Sequence, residues 1–131
     1  MDKIAILGSG SWGTALGKIL AEKGYTVFIW GRNKNVIEDI NINRENSRYL
    51  KSIKLPASLN ATENIEEALQ DADIVILAVT SQSNRETLNR IKNRVKDSTI
   101  IVNVSKGLEI NTNKRASEIS EEILPYNKFV A

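Results

Sequence analysis

Alternating strand and helix patterns along the 131 residues predict an α/β fold built on a doubly wound parallel sheet. The apolar run Lys3–Leu7 ends in a glycine cluster, and apolar residues at helical spacing follow that cluster. A second run, rich in β-branched and aromatic residues, occupies residues 25–30. Residues 73–79 form the most continuous apolar run, as expected of a parallel strand covered on both faces. We therefore expect helices on both sides of one sheet, in three layers.

The first half of the chain contains one strand–helix–strand unit. We expect a strand over residues 3–7, a helix that ends before Gly24, and a strand over residues 25–30. The signal weakens between residues 32 and 59, where we predict a short helix at 36–40 within irregular surface structure.

The second half continues the alternation of strands and helices. Strands are predicted at residues 59–62, 73–79, 99–104 and 129–131. Two helices are expected to begin at capping residues, because Asn64 resembles an N-cap and Ser83 with Glu86 resembles a capping box. A last helix carries apolar side chains on one face between Thr112 and Ile123.

The composition restricts the chemistry that this chain can perform. With 18 basic and 16 acidic residues the net charge is +2, which favours neither nucleic acid nor a membrane as a partner. Because the sequence has no cysteine and no histidine, we expect no disulfide, no thiolate nucleophile and no metal site. Catalysis must use lysine, carboxylate, hydroxyl groups or a bound cofactor, and the cytoplasm is the expected compartment. The length predicts one domain over residues 1–131.

A glycine-rich turn is the strongest functional motif. Gly8, Gly10 and Gly13 match the G-x-G-x-x-G pattern directly between the first strand and the first helix. In a Rossmann domain the first glycine permits a tight turn, the second lets a cofactor pyrophosphate approach, and the third lets the helix pack closely. We therefore expect strand order 3-2-1-4-5-6 and phosphates bound at the helix N-terminus, beside Ser11 and Trp12. The alternatives are a turn without a ligand and a packing role for Trp12.

The end of the second strand bears on the choice of cofactor. Rossmann domains that prefer NAD commonly carry Asp or Glu there for the ribose 2′-hydroxyl, whereas this chain has Arg32 and Asn33. An arginine is suited to pair with a 2′-phosphate or to stack on adenine. We therefore predict that NADP(H) is accepted at least as well as NAD(H), and weaker NADPH binding in Arg32→Ala would support this. A solvated arginine at a strand end is the alternative.

The segments after the fourth and fifth strands are expected at one crevice, because ligands of open α/β sheets bind where the strand order reverses. Residues 78–82 follow the fourth strand, and residues 103–107 follow the fifth. Within the second segment, Lys106 is placed to bind a substrate phosphate, polarise a carbonyl or contact the cofactor ribose. An ordinary surface lysine is the alternative interpretation.

Five segments together resemble the amino-terminal domain of the NAD(P)-dependent glycerol-3-phosphate dehydrogenases. The glycine segment, residues 8–16, would alone fit many dehydrogenases. The segments Asn-Arg-Glu-Asn-Ser-Arg-Tyr-Leu (residues 43–50) and Ser-Lys-Gly-Leu-Glu (residues 105–109) are far more specific. The other two are Trp-Gly-Arg (residues 30–32) and Ala-Val-Thr-Ser-Gln (residues 78–82), and all five occur in the family's order.

The resemblance implies roles for individual residues. By likeness to the family, Ser11, Trp12 and Arg32 are cofactor contacts, and Asn33 stands where the family often has a second polar or basic contact. Lys106 resembles the lysine shared between cofactor and glycerol phosphate, which implies a catalytic and substrate-binding role. Because Asn33 replaces a basic residue, the implied cofactor is NAD or NADP, with the choice open.

The chain departs from the family at three loop positions where proline is common. These positions are Ser47, Lys51 and Thr80. Since proline fixes φ, we expect these departures to change the stiffness of the loops and not their chemistry.

The resemblance also implies a reaction. Hydride transfer from NAD(P)H to C2 of dihydroxyacetone phosphate, with protonation of the developing alkoxide, gives sn-glycerol 3-phosphate, which serves phospholipid synthesis. The family continues with a helical carboxyl-terminal domain that carries a second catalytic lysine and most substrate contacts. Since this sequence ends at Ala131, we expect a fragment that binds cofactor without turnover, and a homodimer for the complete enzyme.

Two other classes of protein share part of the pattern. A hydroxyacid or ketopantoate-type reductase would share the glycine turn and the strand at residues 73–79 without needing the segment at residues 43–50. A stand-alone NAD(P)-binding or redox-sensing module would bind the cofactor with no associated turnover. The length of the encoded protein discriminates the module from the enzyme.

Overall fold

A computed structural model describes residues 3–130, in which strands and helices alternate along the chain. The strands are β1 (Lys3–Leu7), β2 (Thr26–Trp30), β3 (Leu59–Thr62), β4 (Ile74–Leu77), β5 (Ile100–Asn103) and β6 (Phe129–Val130). The α-helices are α1 (Ser11–Glu22), α2 (Lys34–Glu38), α3 (Ile65–Leu69), α4 (Asn84–Ile91) and α5 (Ala116–Ile123). A π-helical turn (Asp39–Asn43) follows α2, and a 3-10 turn (Ser81–Ser83) precedes α4. The predictions for Met1, Asp2 and Ala131 lie outside the described residues.

The six strands form one parallel sheet in the order β3-β2-β1-β4-β5-β6. This confirms the predicted Rossmann-type doubly wound sheet of order 3-2-1-4-5-6, with β4 in its interior. The order reverses between β1 and β4, whose register places Leu7 opposite Leu77. A crevice therefore opens beyond the carboxyl ends of these two strands.

Side chains of the strands alternate between two hydrophobic clusters, one on each face of the sheet. In β1, Ala5 and Leu7 belong to one cluster, while Ile4 and Ile6 belong to the other. Helices α3, α4 and α5 contribute to the first cluster, and α1 and α2 contribute to the second. The covered faces make the three layers that the sequence predicts. Within residues 3–130, no helix is long and apolar enough to cross a bilayer.

The segment between β2 and β3 is more buried than predicted. Ile40 and Leu55 extend the cluster that α2 covers, and the side chain of Asn46 is also buried. The predicted helix at 36–40 is present as α2, which begins two residues earlier. The prediction of surface structure was wrong for the buried residues, because isolated apolar side chains in a polar stretch show no periodicity.

The capping box predicted for Ser83 and Glu86 is not formed. Ser83 lies at the end of the 3-10 turn with φ −94° and ψ −5°, whereas an N-cap residue needs an extended conformation. Its hydroxyl instead hydrogen bonds the hydroxyl of Thr80 at 3.0 Å. Glu86 lies in the first turn of α4, but its carboxylate pairs with Arg32 instead of capping the helix.

Two other predicted helix starts have different outcomes. Asn64 caps α3 by accepting a hydrogen bond from the backbone N–H two residues later, as predicted (3.0 Å). The last helix, α5, begins only after Arg115, so Thr112 lies outside it. There the Glu118 carboxylate accepts a hydrogen bond from the Arg115 backbone N–H at 3.0 Å.

Candidate functional site

A cleft runs along the carboxyl ends of the central strands, where the strand order reverses. One lobe, of about 380 Å³, lies between the glycine turn, the end of β2 and the start of α4, and Arg32 lines it. The other lobe, also of about 380 Å³, lies between the start of α1 and the segment after β5, and Lys106 lines it. Both lobes share Gly10 and residues 78–80, so they form one continuous cleft. We call them the Arg32 lobe and the Lys106 lobe.

Two glycines of the turn are required by packing. Gly8 has a φ of +129°, and a Cβ there would lie 2.3 Å from the carbonyl oxygen of Ala78. A Cβ on Gly13 would lie 2.1 Å from the carbonyl oxygen of Gly8, so α1 packs directly against the turn. Both distances are shorter than any non-bonded contact. The fold therefore needs glycine at these positions, whatever the cleft binds.

Gly10 differs from its two neighbours in the motif. A Cβ on Gly10 would meet no atom within 4 Å, and its φ of −76° suits any residue. Neither packing nor backbone conformation explains glycine at this position. Gly10 faces open space at the entrance of α1, where a bulky anion would need to approach the backbone.

The start of α1 presents hydrogen-bond donors to the cleft. The first backbone N–H groups of an α-helix have no acceptor within the helix, and they carry the positive end of its dipole. Gly10 offers no side-chain cap, and the first turn of α1 has no acidic residue. Ser11 and Trp12 open the helix and line the Lys106 lobe. Trp12 is 69% exposed, so it does not pack into the core formed by residues 3–130.

A buried amide supports the glycine turn from behind. The Asn46 side-chain NH2 donates to the Ser9 carbonyl oxygen (2.9 Å) and to the Thr14 hydroxyl (2.8 Å). Its carbonyl oxygen accepts from the Tyr49 backbone N–H at 3.3 Å. Asn46 is 1% exposed, so it is a fixed part of the turn's support. Sequence reasoning missed this role because more than 30 residues separate Asn46 from these partners in the turn.

Arg32 belongs to a charged cluster around Trp30. Its guanidinium lies 5.5 Å from the centroid of the Trp30 ring, and that of Arg90 lies 5.6 Å from the same ring. Glu86 hydrogen bonds Arg32 and lies 3.6 Å from Arg90. The Arg32 hydrogen bond is the main cause that lowers the pKa of Glu86, so this carboxylate is ionised at neutral pH. Arg32 is 59% exposed, but it is paired and not simply solvated.

Asn33 lines the Arg32 lobe and also caps α2. Its side-chain oxygen accepts from the backbone N–H groups of Asn35 (3.0 Å) and Val36 (3.3 Å). The oxygen is therefore committed to the helix, and the NH2 is the group that a ligand would meet. Tyr49 lines the same lobe, and only its membership of a family-like segment pointed to it in the sequence.

Lys106 is a free cation on a fixed loop. Its ammonium makes no hydrogen bond or ion pair with the residues between 3 and 130. Gln82 holds the loop by donating to the Leu108 carbonyl oxygen and accepting from the Ile110 backbone N–H, both at 3.0 Å. The lysine is thus presented to the cleft by a segment that α4 and its preceding turn secure.

A network of charges secures the far side of this loop. Arg85 of α4 donates two hydrogen bonds to the Glu109 carboxylate (2.8 and 3.1 Å) and one to Glu122 of α5 (2.9 Å). The Arg85 hydrogen bond is the main cause that lowers the pKa of Glu109. The position of the loop therefore depends on both helices.

The sheet order, the glycine turn at its switch point and the open helix N-terminus define a Rossmann domain of the class that carries nucleotide cofactors in oxidoreductases. The family model described as NAD-dependent glycerol-3-phosphate dehydrogenase N-terminus matches residues 3–131, and the chain belongs to this family. Among residues 3–130, no cluster of His, Cys, Asp or Glu is suited to hold a metal ion.

Relatives support the family membership. A glycerol-3-phosphate dehydrogenase (NAD(P)+) of Clostridium perfringens is 45% identical over 130 residues, which are 99% of this chain and 39% of that protein. A protein of the same name from Bacillus thuringiensis is 45% identical over 125 residues, 95% of this chain and 37% of its own length. The chain therefore spans about two fifths of the length of these relatives.

Solved structures agree with this result. The crystal structure of glycerol-3-phosphate dehydrogenase from Coxiella burnetii matches with a TM-score of 0.88 and 31% identity, over 94% of this chain and 38% of that chain. The glycerol-3-phosphate dehydrogenase from Saccharomyces cerevisiae matches with a TM-score of 0.81 and 29% identity, over 93% of this chain and 39% of that chain. Prephenate dehydrogenase from A. aeolicus, at 15% identity and a TM-score of 0.72, shares the fold alone.

The structure brings the predicted site residues together. Those that line the cleft are Gly8, Gly10, Ser11, Trp12, Arg32, Asn33 and Lys106. Gly13 lies behind the turn, where it sets the packing of α1. Their roles toward a cofactor or substrate stay predictions. The cleft also includes Thr80, which belongs to the segment of residues 78–82 expected at the crevice, and Thr87, which no sequence pattern singled out.

Proposed function

We propose that this chain binds NAD(H) or NADP(H) along the cleft, as the cofactor half of a glycerol-3-phosphate dehydrogenase. The observation that carries the proposal is Gly10, since it alone of the three motif glycines is required neither by packing nor by its backbone angles. It faces open space between both lobes, beside the free end of α1. Family membership supports the identity of the cofactor.

The residues around the cleft fit such a cofactor. Gly10 and the backbone N–H groups at the start of α1 would hold the pyrophosphate, because they combine open access with positive partial charge. Arg32 and Asn33 would contact the adenosine end in the Arg32 lobe, and Trp12 would border the nicotinamide end in the Lys106 lobe. Because the lobes meet at Gly10, one extended dinucleotide would be able to span both.

The proposed reaction is the reduction of dihydroxyacetone phosphate to sn-glycerol 3-phosphate, and its reverse. The nicotinamide supplies the hydride when it is bound, while the protein supplies position and electrostatics. Lys106 would act as a catalytic and substrate-binding residue, because a free ammonium beside the cleft stabilises negative charge on the substrate. Its lack of a partner among residues 3–130 leaves that charge available.

The proposal extends to the complete enzyme on the strength of the resemblance. We expect a carboxyl-terminal domain that supplies most substrate contacts, a cytoplasmic homodimer, and a product used in phospholipid synthesis. On this proposal the chain of residues 1–131 binds cofactor but does not reduce dihydroxyacetone phosphate. A rate of reduction close to that of the complete enzyme would contradict the proposed division of labour between the domains.

The test is a titration of the chain with NADPH and NADH, followed by tryptophan fluorescence. We expect saturable quenching, since Trp12 and Trp30 line the two lobes. In Gly10→Ala, affinity should fall by about fivefold or more, because one added methyl group in a tight contact costs roughly 1–3 kcal/mol. The free energy of unfolding should change by no more than about 1 kcal/mol, because the new Cβ meets no atom within 4 Å and the change affects only the N-cap of α1 and the unfolded chain.

Gly13→Ala is the matched control for the same added methyl group. It should lower the stability of the fold strongly, because its Cβ would overlap the Gly8 carbonyl oxygen. If Gly10→Ala binds both cofactors as the unmodified chain does, the pyrophosphate does not lie at this turn. If the unmodified chain binds neither cofactor, the proposal for this chain fails.

A further inference from the structure

A carboxylate reaches the end of β2 from a distant part of the chain. Rossmann domains that prefer NAD commonly carry Asp or Glu at that strand end, where this sequence has Arg32. Glu86, 54 residues later, hydrogen bonds the Arg32 guanidinium. The fold therefore places a carboxylate beside the end of β2, where the sequence of the strand itself provides none.

Glu86 does not line the cleft itself, but its partner Arg32 and its neighbours on the chain do. Ser83, one turn earlier, and Thr87, the next residue, both line the Arg32 lobe, as does Arg32 itself. A ligand that contacts Arg32 in this lobe would therefore meet the Arg32–Glu86 pair and not a free guanidinium.

The surroundings of Glu86 favour its ionised form. Arg32 and Arg90 flank the same Trp30 ring, and the Glu86 carboxylate lies between the two guanidinium groups. Glu86 makes no capping hydrogen bond, although it lies in the first turn of α4, where the helix dipole also favours a negative charge. Its contact with Arg32 is the one that links it to the cleft.

We propose that Glu86 is a specificity-determining residue that shifts the cofactor preference of this site from NADP(H) toward NAD(H). The inference rests on the proposed function. A ribose 2′-phosphate carries a charge near −2 at neutral pH. It would therefore compete with Glu86 for the Arg32 guanidinium, and the Glu86 carboxylate would repel it. A ribose 2′-hydroxyl is neutral, leaves the pair intact and offers a donor to the carboxylate.

The pairing opposes the expectation drawn from Arg32 alone. The sequence favours NADP(H) because an unpaired arginine at the end of β2 suits a 2′-phosphate. With Glu86 present, that arginine already has an anionic partner. Without Glu86, Arg32 and Arg90 would leave two cations beside the ribose position, which is an arrangement that suits a phosphate.

The experiment compares the unmodified chain with Glu86→Gln, which removes the charge and keeps the shape. Dissociation constants for NADPH and NADH are measured by fluorescence at low and at moderate ionic strength. We expect the NADPH to NADH affinity ratio to rise about fivefold in Glu86→Gln, the size of effect typical of a partly exposed ion pair. The rise should shrink with added salt, because screening weakens the repulsion.

Glu22→Gln is the matched control, since Glu22 is an exposed carboxylate paired with Lys18 on α1. It should leave the affinity ratio unchanged. Titrations with adenosine 2′,5′-bisphosphate and 5′-AMP, which differ only by the ribose 2′-phosphate, test whether the effect arises at the ribose. We expect Glu86→Gln to change the affinity ratio of these two fragments as it changes the NADPH to NADH ratio. In an Arg32→Ala background, Glu86→Gln should change the ratio less, because part of its effect acts through Arg32.

The outcomes separate this inference from the proposed function. Saturable binding of both cofactors with an unchanged ratio in Glu86→Gln would overturn the role of Glu86 and leave the proposed cofactor site standing. A fall in the ratio would overturn it as well. Failure of the unmodified chain to bind either cofactor would overturn the proposed function together with this inference.

Discussion

Asn46 shows how one buried polar side chain joins distant parts of this chain. It donates to the Ser9 carbonyl oxygen and the Thr14 hydroxyl, and it accepts from the Tyr49 backbone. Thr14 is fully buried, so water cannot replace the bond that Asn46 provides. The geometry of the glycine turn therefore depends on a residue that does not line the cleft.

Substitution of Asn46 should destabilise the fold by a predictable amount. We expect Asn46→Ala to lower the free energy of unfolding by about 1–3 kcal/mol, the usual cost of leaving buried polar groups without partners. Chemical denaturation of the unmodified chain and the variant measures this change. Asn46→Asp should be at least as damaging, since it removes the NH2 donor and buries a charge.

Asn41→Ala provides a comparison on the same segment. The Asn41 side chain bonds both the carbonyl oxygen and the N–H of Ala61, away from the glycine turn. Both variants should lose stability, but only Asn46→Ala should also weaken cofactor binding per folded molecule. A loss of stability below about 0.5 kcal/mol in Asn46→Ala would contradict the role assigned here.

Single residues also mark the limits of sequence prediction. The motif glycines were predictable because strand, turn and helix are neighbours in sequence, which is the context that gives the pattern its meaning. The role of Glu86 was not predictable. Its spacing from Ser83 matched a capping box, whereas its actual partner is Arg32, which follows β2. Pairs formed across the fold leave no local signal.

The connection between β4 and α4 is the element that joins the two lobes. Residues 78–80 border both lobes, and the 3-10 turn that follows carries Gln82, which holds the Lys106 loop. Thr80 has φ −65° and ψ 154°, a conformation that proline adopts without strain. Its backbone N–H has no backbone acceptor among residues 3–130.

Thr80→Pro should therefore stiffen this connection without disturbing it. Relative to Thr80→Ala, which also removes the hydroxyl contact to Ser83, we expect the free energy of unfolding to rise by about 0.4–1 kcal/mol. The reason is that proline restricts the unfolded chain while fitting the folded one. Thermal or chemical unfolding of the two variants side by side provides the measurement.

A Thr80→Pro variant less stable than Thr80→Ala would show that the connection needs a conformation other than the one observed. Cofactor titration of both variants gives a second check. Similar affinities are expected, since the substitution leaves the backbone path of residues 78–80 unchanged.

Elements were predictable to different degrees. Strand positions followed from apolar runs, since strands buried on both faces are continuously apolar. The packing of residues 32–59 could not be predicted in this way. Ile40 and Leu55 are buried because they belong to one hydrophobic cluster with residues of α2 and β3, and no periodic apolar pattern in the sequence marks them. The Lys106 loop was located by its place after β5, but its support by Gln82 and Arg85 required the structure.

For the whole molecule, stability should depend on pH through carboxylates and not through histidine, which the sequence lacks. The pKa of Glu86 and that of Glu109 lie below the ordinary value of 4.5, chiefly because Arg32 and Arg85 donate hydrogen bonds to them. Asp39 also has a lowered pKa, with the Ser47 backbone N–H as the main cause.

Carboxylates of this kind stabilise the fold at neutral pH and lose that contribution on acidification. Because their pKa values are lower in the folded than in the unfolded chain, their stabilisation is complete above the ordinary values of 4.5 and 3.8 and is lost as the pH falls through the folded values. We expect the free energy of unfolding to change little between about pH 6 and 8 and to fall below about pH 5. Urea unfolding across this range measures it.

Added salt offers a control for the acid effect, since screening should reduce the contribution of these exposed pairs at neutral pH as well. A stability that rises between pH 5 and pH 3 would contradict the assigned ion pairs.

The place of β1 at the centre of the sheet has a consequence for synthesis of the chain. Its neighbour β4 lies 70 residues later, as the pairing of Ile4 with Ile74 shows. Nascent β1 therefore acquires β2 early, but one of its edges stays without a hydrogen-bonding neighbour until β4 has left the ribosome. Long loop closure of this kind slows folding and prolongs the exposure of aggregation-prone edges. Chaperone demand should therefore peak when about half of the domain has been made.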